Sequence, residues 1–496
     1  MAIKRYTAIA DNTITNQYNE GLNTRNTSGN AGKADSLEIF KIYGQVQSST
    51  VEQTRILIRF PVNETDLGSS IQTIKQDRAA GIIPSAGNVQ FIMKLWNVRH
   101  PSTVPRGFTI VSHPLTRAWT EGNGVDLDEF SDHDQSNWLS ASSGVAWTTA
   151  GGDFNDSLAY EQEFDEGLED MEIDLTAYVE GILDNSINGG TNYGLILKLK
   201  TAQLTDANSY YTKKFSARGS EYFMKRPVIE AQWDSSIKDD RRNFHYSSSV
   251  APAVDNLNTI YLYNNIGGRL KNIPSIGTNN IYVRFFLSSG SAPVGTALNL
   301  HADGSNVRTQ SPTVVTGTYV STGIYKASVA ITGTAETLHD VWSNQALTTE
   351  YVTGTLYPEN FYTSQTARTN DYYVSITNLK QKYEHGENTR FRVYTRLKGW
   401  SPTIYTRAVS EPQLYIPTSG SYEIFRIVDN FKVVEHATGS TKYTELSFDG
   451  SGSYFDFDMS MLEPGYSYGI KLAFYDDFLQ SHKPLNEVFK FRVEKK

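Results

Sequence analysis

Short runs in which apolar and polar residues alternate, each closed off by Gly, Asn, Ser, Asp or Thr, recur along the whole chain. Residues 54–62 read TRILIRFPV, 89–98 VQFIMKLWNV, 194–200 GLILKLK, 281–287 IYVRFFL, 325–331 YKASVAI and 390–397 RFRVYTRL. A period of two places alternate side chains on opposite faces of a strand, and the intervening clusters supply turns. Helical periodicity is scarce. One candidate helix covers residues 175–183, with Asp174 as its N-cap, and a second lies within 66–78. Many short strands and few helices predict an all-β chain built from sandwiches or barrels. The residue balance agrees, because 30 Tyr and 23 Phe suit pleated, half-buried surfaces.

A chain of 496 residues predicts two to four domains, with three as the central expectation. The polar stretch 234–249, SSIKDDRRNFHYSSS from Ser235 onward, marks a first boundary, and TSQTARTN at 363–370 marks a second. The expected units are therefore 1–240, 250–362 and 366–496. The middle unit opens on NTIYLY at 258–263 and closes on EYVTGTLYP, with about seven strands in a length that suits an immunoglobulin-like β-sandwich. Trp342 is expected to fill that core. The last unit repeats the idea with YYVSITNL, TRFRVYTRL, YEIFRIV and YGIKLAFYD. No sequence repeat relates the three, so a solenoid is not expected.

Charge and composition exclude several function classes. A net charge of −9 argues against a nucleic-acid surface, which needs a basic patch. The spots Lys213-Lys214 and KDDRR at 238–242 are small and read as surface and linker. With no Cys, thiolate zinc sites, disulfide scaffolds and Cys nucleophiles are ruled out. No run of about 18 apolar residues occurs, so no membrane partner is expected, and the first residues lack the apolar core of a signal peptide. Synthesis in a cytoplasm is the expectation. The nine His form no metal-binding spacing, and neither Gly-x-Ser-x-Gly nor a phosphate loop is present. No catalytic residues are assigned.

Two constellations are candidates for binding. Trp119, Trp138 and Trp147 fall close together in Gly- and Ser-rich sequence. Large rings there either pack a sandwich end or offer a glycan-stacking platform. Asp126, Asp128, Glu129, Asp132 and Asp134 share one loop-like segment with His133. Four of them, Asp126, Asp128, Asp132 and Asp134, are candidate ligands for a structural calcium, which takes several oxygens from a flexible loop; the alternative is a solvated loop. No other cofactor is expected. A second acidic run, from Glu161 to Asp174, precedes the 175–183 helix and is read as helix-terminus charge.

The order of elements in the first half carries a resemblance. ADNTI at 10–14 is followed by LEIF, RILIRFPV, VQFIMKLWNV, HPLTRAWTEGNG at 113–124 and SNWLSASSGVAWTTAGGDF at 136–154. EIDLTAYVEGIL, NYGLILKLK and KKFSARGSEYFMKRPVIEAQW at 213–233 close the series. This order resembles the DNRLRE-type module, a jelly-roll β-sandwich related to carbohydrate-binding modules. The whole chain resembles virion structural proteins of tailed bacteriophages of the marine and cyanobacterial type. The resemblance implies a jelly-roll sandwich followed by two immunoglobulin-like sandwiches. It also implies a non-enzymatic virion role at the neck, tail accessory, baseplate or head decoration. Partners would be other virion proteins in multiple symmetric copies. The alternative is a glycan-binding adhesion module on a phage appendage, recognising host-surface glycan.

Overall fold

The computed structural model describes residues 2–65, 71–249, 251–301, 313–359, 371–400, 414–476 and 479–495. The expected break at 363–370 lies outside them. All six alternating segments quoted above form strands, and the chain is all-β, as expected.

The first unit is a sandwich of two sheets. Its strands are β1 (Ile3–Thr7), β2 (Ala10–Thr15), β3 (Ser36–Tyr43), β4 (Val51–Arg59), β5 (Gln90–Leu95), β6 (Phe108–Pro114), β7 (Ser140–Ser142), β8 (Val145–Ala146), β9 (Tyr160–Phe164), β10 (Met171–Asp174), β11 (Leu195–Leu199), β12 (Tyr210–Ser216) and β13 (Val228–Gln232). The small sheet runs β1-β13-β5-β10 and the large one β12-β3-β4-β11-β6-β9, with β2 added against β4. Alternation decides which side chains meet between them. Phe91, Met93 and Leu95 of β5 and Ile229 and Ala231 of β13 face Leu37 and Ile39 of β3, Ile56 and Ile58 of β4, and Leu195, Leu197 and Leu199 of β11. β4 changes partners along its length: residues 51–53 pair with β3, and 54–59 pair with β2.

Two helices pack at the margins of this core. α1 (Ile74–Ala79) overlaps the end of the 66–78 stretch expected to be helical and runs one residue past it, and its start is set by a reciprocal cap between Thr73 and Gln76. α2 (Thr176–Leu183) begins one residue later than expected. Leu175, not Asp174, is its N-cap, because the Asp174 carboxylate accepts from the Thr176 N–H at 2.8 Å in a local turn.

In the middle unit the hydrogen-bonded strands run from Asn258–Tyr263 to Glu350–Leu356. Val315–Ser321 turns the corner of this sheet: residues 315–317 pair with Ile281–Ser289, and 318–321 pair with Ile324–Val329. Trp342 is fully buried in the core and donates to Asp340 at 2.7 Å. In the third unit a four-stranded sheet packs on a six-stranded one. Phe391, Phe455 and Phe457 meet Tyr422, Ile470, Leu472 and Phe491 between them, and the Tyr422 and Phe455 rings stack at 4.1 Å.

Among the described residues, the units meet along seams. Ile3 and Met224 of the first unit sit in the core cluster of the third. Arg5 donates to the Val433 carbonyl at 2.6 Å and to Glu230 at 2.8 Å, and Lys94 lies 3.3 Å from the same carboxylate. Glu230 is buried; burial pushes its carboxyl up, but Arg5 and Lys94 outweigh that and hold it below the usual range. The stretch expected to be a polar linker is pinned down as well. Ile237 and Asp239 bond to the Phe448 backbone, and Lys238 pairs with Glu445 at 2.7 Å. Arg241 makes a two-pronged pair with Asp340 at 2.7 and 2.8 Å, and Phe244 is fully buried. KDDRR is therefore joint rather than surface. Two of its cations, Lys238 and Arg241, are paired with Glu445 and Asp340 from far along the chain, which local sequence does not reveal.

Candidate functional site

The large sheet of the first unit has a second face, and the chain treats its two halves differently. Leu57 and Ile196 project from this outer face, and Ala10 and Ile14 lie beside them. Over them fold the loops between β6 and β9. Trp119, Trp138 and Trp147 are 5%, 7% and 5% exposed and complete a second apolar cluster with Leu115 and Ala141. The indole N–H of Trp119 donates to the Tyr193 carbonyl, and that of Trp147 to the Asn137 carbonyl, each at 2.8 Å. The Arg55 guanidinium lies 4.8 Å from the Trp138 ring and donates to the Gly151 carbonyl at 2.8 Å. Burial lowers the Arg55 pKa to about 10, with Asp156 opposing the shift. The three indoles thus occupy the packing role open to them and present no free ring as a platform. Gly151 and Gly152 form a turn at positive φ, and the Asp153 carboxylate accepts from Thr148 and Thr149 N–H at 2.9 Å each.

The other half of the outer face is left uncovered and forms a groove of about 660 Å³. Its floor follows from the period of β3. Leu37 and Ile39 point inward, so Ser36, Glu38, Phe40 and Ile42 point outward and line the groove. Register then places neighbours beside them: Glu52 of β4 opposite Ile42, and Lys214 of β12 opposite Glu38. Tyr211 sits where the β12–β3 register shifts; it is 42% exposed, and its ring lies 5.5 Å from Phe40 at 59°. The rim comes from Gln17 and Tyr18, from Ala31 and Ala34, and from the segment Val125 to Asp128.

Polar groups in the groove are mostly committed. Glu38 accepts from Thr212 at 2.7 Å and pairs with Lys214 at 3.2 Å. Asp126 accepts from the Asp128 and Phe130 N–H groups at 2.9 Å each, an Asx turn that shapes the rim. Glu52 is the exception. It is 2% exposed, and its Oε2 accepts from the Tyr18 N–H at 2.7 Å, but its Oε1 has no hydrogen-bond partner.

The expected calcium loop is corrected by this geometry. Asp126 and Asp128 line the groove, whereas Asp132 accepts from the Asn123 N–H at 2.9 Å. Asp126, Asp128, Asp132 and Asp134 do not converge, and among the described residues no group of three or more His, Asp or Glu is placed to hold a metal ion. The carboxylates close turns of the loop, a role that needs only nearby N–H groups. Sequence reasoning missed the groove itself. Its one signal is that β3, SLEIFKIY, carries apolar residues on both faces.

No family model matches the chain, and no curated protein matches it. Among solved structures, the adhesin InvE of Yersinia pseudotuberculosis overlaps 47% of this chain and 54% of its own, at 13% identity and a TM-score of 0.16. Trypsin-activated α-2-macroglobulin of Escherichia coli overlaps 89% of this chain and 24% of its own, at 8% identity and a TM-score of 0.17. A Salmonella α-2-macroglobulin reacted with methylamine overlaps all of this chain and 26% of its own, at 7% identity and a TM-score of 0.16. The chain thus spans about half of the adhesin chain and about a quarter of each macroglobulin chain. Overlaps at such TM-scores carry no argument about function.

Proposed function

We propose that the chain is a non-enzymatic structural subunit of a tailed-phage virion, docking to other virion subunits through its β-sandwich surfaces. The observation that carries this reading is the seam between the first and third units, where Arg5, paired with the buried Glu230 of its own unit, donates to the Val433 carbonyl and Ile3 and Met224 enter the core of the third unit. Apolar side chains shared with the neighbouring core and a charged hydrogen-bond donor across the joint hold the two sandwiches in one orientation. That suits a subunit whose job is to fix the distance between neighbours. Edge strands supply docking surface: Glu350–Leu356 ends its sheet and exposes Val352, and Tyr372–Ile376 ends another and exposes Tyr373. The order of motifs in the first half points the same way, through its resemblance to phage virion proteins. Repeated weak contacts in a symmetric particle add to strong attachment. The test is mass spectrometry of purified particles from the lysate in which the chain is made. A stoichiometric, repeated copy number is expected; particles consistently lacking the chain would overturn the reading.

A further inference from the structure

We propose that the side chains of Lys213 and Asn97 join spontaneously into an amide cross-link, with loss of ammonia, that ties the two sheets of the first unit together. This goes beyond the virion role and does not rest on it.

Lys213 lies in β12, at the edge of the large sheet, and Asn97 follows β5 of the small sheet. Although Lys213-Lys214 reads as surface, the Lys213 side chain is fully buried, with the Phe164 and Phe215 rings each 5.0 Å from its Nζ. Among the described residues no carboxylate forms an ion pair with it. Lys41, equally buried on β3, differs in having Asp206 at 2.8 Å. The Lys213 Nζ meets three uncharged oxygens instead: Asn97 Oδ1 at 2.7 Å and the carbonyls of Gly167 at 2.9 Å and Glu169 at 2.7 Å. A buried ammonium without a counter-charge is costly. Burial accordingly lowers the Lys213 pKa to about 8, with Glu169 and Asp170 opposing the fall. A neutral amine has two N–H groups and one lone pair. The two backbone carbonyls take the N–H groups, which turns the lone pair toward the Asn97 carboxamide. A carbonyl bond is about 1.23 Å long, so Nζ lies no more than about 3.9 Å from Asn97 Cγ, close to attack distance. Attack forms the Nζ–Cγ bond. One Nζ proton moves to Nδ2, the Cγ–Nδ2 bond breaks, and ammonia leaves from a half-buried residue. An amine and a primary amide thus give a secondary amide and ammonia, with no other reactant. Asp170, whose Oδ1 accepts from the Asn97 N–H at 2.6 Å, is the carboxylate at hand to carry the proton.

The experiment weighs the intact full chain after incubation at about pH 9, where a group of pKa about 8 is mostly neutral, and then maps its tryptic peptides. The expected mass is about 17 Da below that of the sequence, the loss of one ammonia. A branched peptide should join residues 95–99 to 201–214. Below pH 8 the rate of cross-linking should fall about tenfold per pH unit, as the amine is protonated. Asp170→Asn should slow it by about tenfold or more. Lys213→Arg and Asn97→Ala should each keep the full mass. Asn97 is only half-buried, so its variant reports on the bond even if Lys213→Arg perturbs folding. The proposal fails if the parent keeps its full mass, if either variant still loses ammonia, or if the loss maps to one linear peptide, such as that holding Asn188-Gly189.

Discussion

The outer face of one sheet in the first unit shows two ways of treating apolar surface. Over β4 and β11 the chain covers it with its own loops, anchored by three indoles. Over β3 and β12 it leaves Phe40, Ile42 and Tyr211 along a groove. The strands are alike in pattern, so the difference lies in the long connections that cross the face. The covered half should therefore be worth stability and the open half worth little. The largest effect is expected from Trp119→Ala. It removes a nearly buried indole and leaves the Tyr193 carbonyl without its donor. A loss of about 3–5 kcal/mol is expected in denaturant unfolding of the first unit. A loss below about 1 kcal/mol would mean that the cluster is not a core.

The polar edge of the cover should be weaker and pH-dependent. Glu121, on the covering loop, accepts from Arg218 and from the Asp11 N–H, while Asp11 accepts from the Arg218 N–H. Burial raises the Asp11 pKa from 3.8 to about 7, with Glu121 adding to the rise and Arg218 and Lys33 opposing it. The folded state therefore holds this proton more tightly than the unfolded state. Its contribution is fully present below pH 4 and is lost as pH rises toward about 7. Asp11→Asn should match the parent near pH 4 and exceed it by about 1–3 kcal/mol at pH 8, read from unfolding curves across pH. Equal stability at pH 8 would show that Asp11 is charged at no cost.

A smaller effect is expected at the glycine turn below the cover. Asp153 accepts from two backbone N–H groups and pairs with Arg117 at 2.7 Å. Burial raises its carboxyl, but the Thr148 and Thr149 donors outweigh that and hold it below the usual range. Asp153→Ala should cost about 1 kcal/mol at neutral pH. That cost should shrink as pH falls below 3.8, where the parent loses the same interaction. A cost independent of pH would assign the loss to packing.

The same division explains what the sequence made legible. Alternation located the strands, because a period of two survives in any antiparallel sheet. Trp342 was placed in a core correctly, since a lone indole in an apolar strand has few other homes. Trp119, Trp138 and Trp147 were legible as a group but not as cover, because their partners Leu57 and Ile196 lie far away in sequence. The aspartates of 126–134 were visible as a cluster. Which of them reach the groove depends on how the loop crosses β3, and no local spacing encodes that. The Thr73-x-x-Gln76 cap that marks the true start of α1 was missed, although its spacing is a local signal. Glu52 gave no warning, since an unpartnered oxygen exists only once three strands have assembled.

The open half supplies the smallest expected effect and the sharpest contrast. Tyr211 exposes 42% of its surface and packs mainly on Phe40. Removing its ring forfeits part of one aromatic contact and creates no enclosed cavity, so Tyr211→Ala should cost under about 1 kcal/mol. The indole and the tyrosine both rest on one sheet face, yet one substitution should threaten folding and the other should leave it nearly intact. Matched unfolding curves for Trp119→Ala and Tyr211→Ala test that directly. If Tyr211→Ala proved as damaging as Trp119→Ala, the groove would be core surface under another name, and its apolar strip would be explained by stability alone. If the two differ as expected, the Tyr211 ring that lies over Phe40 is surface that the fold does not need, kept open at the solvating cost of exposed apolar area.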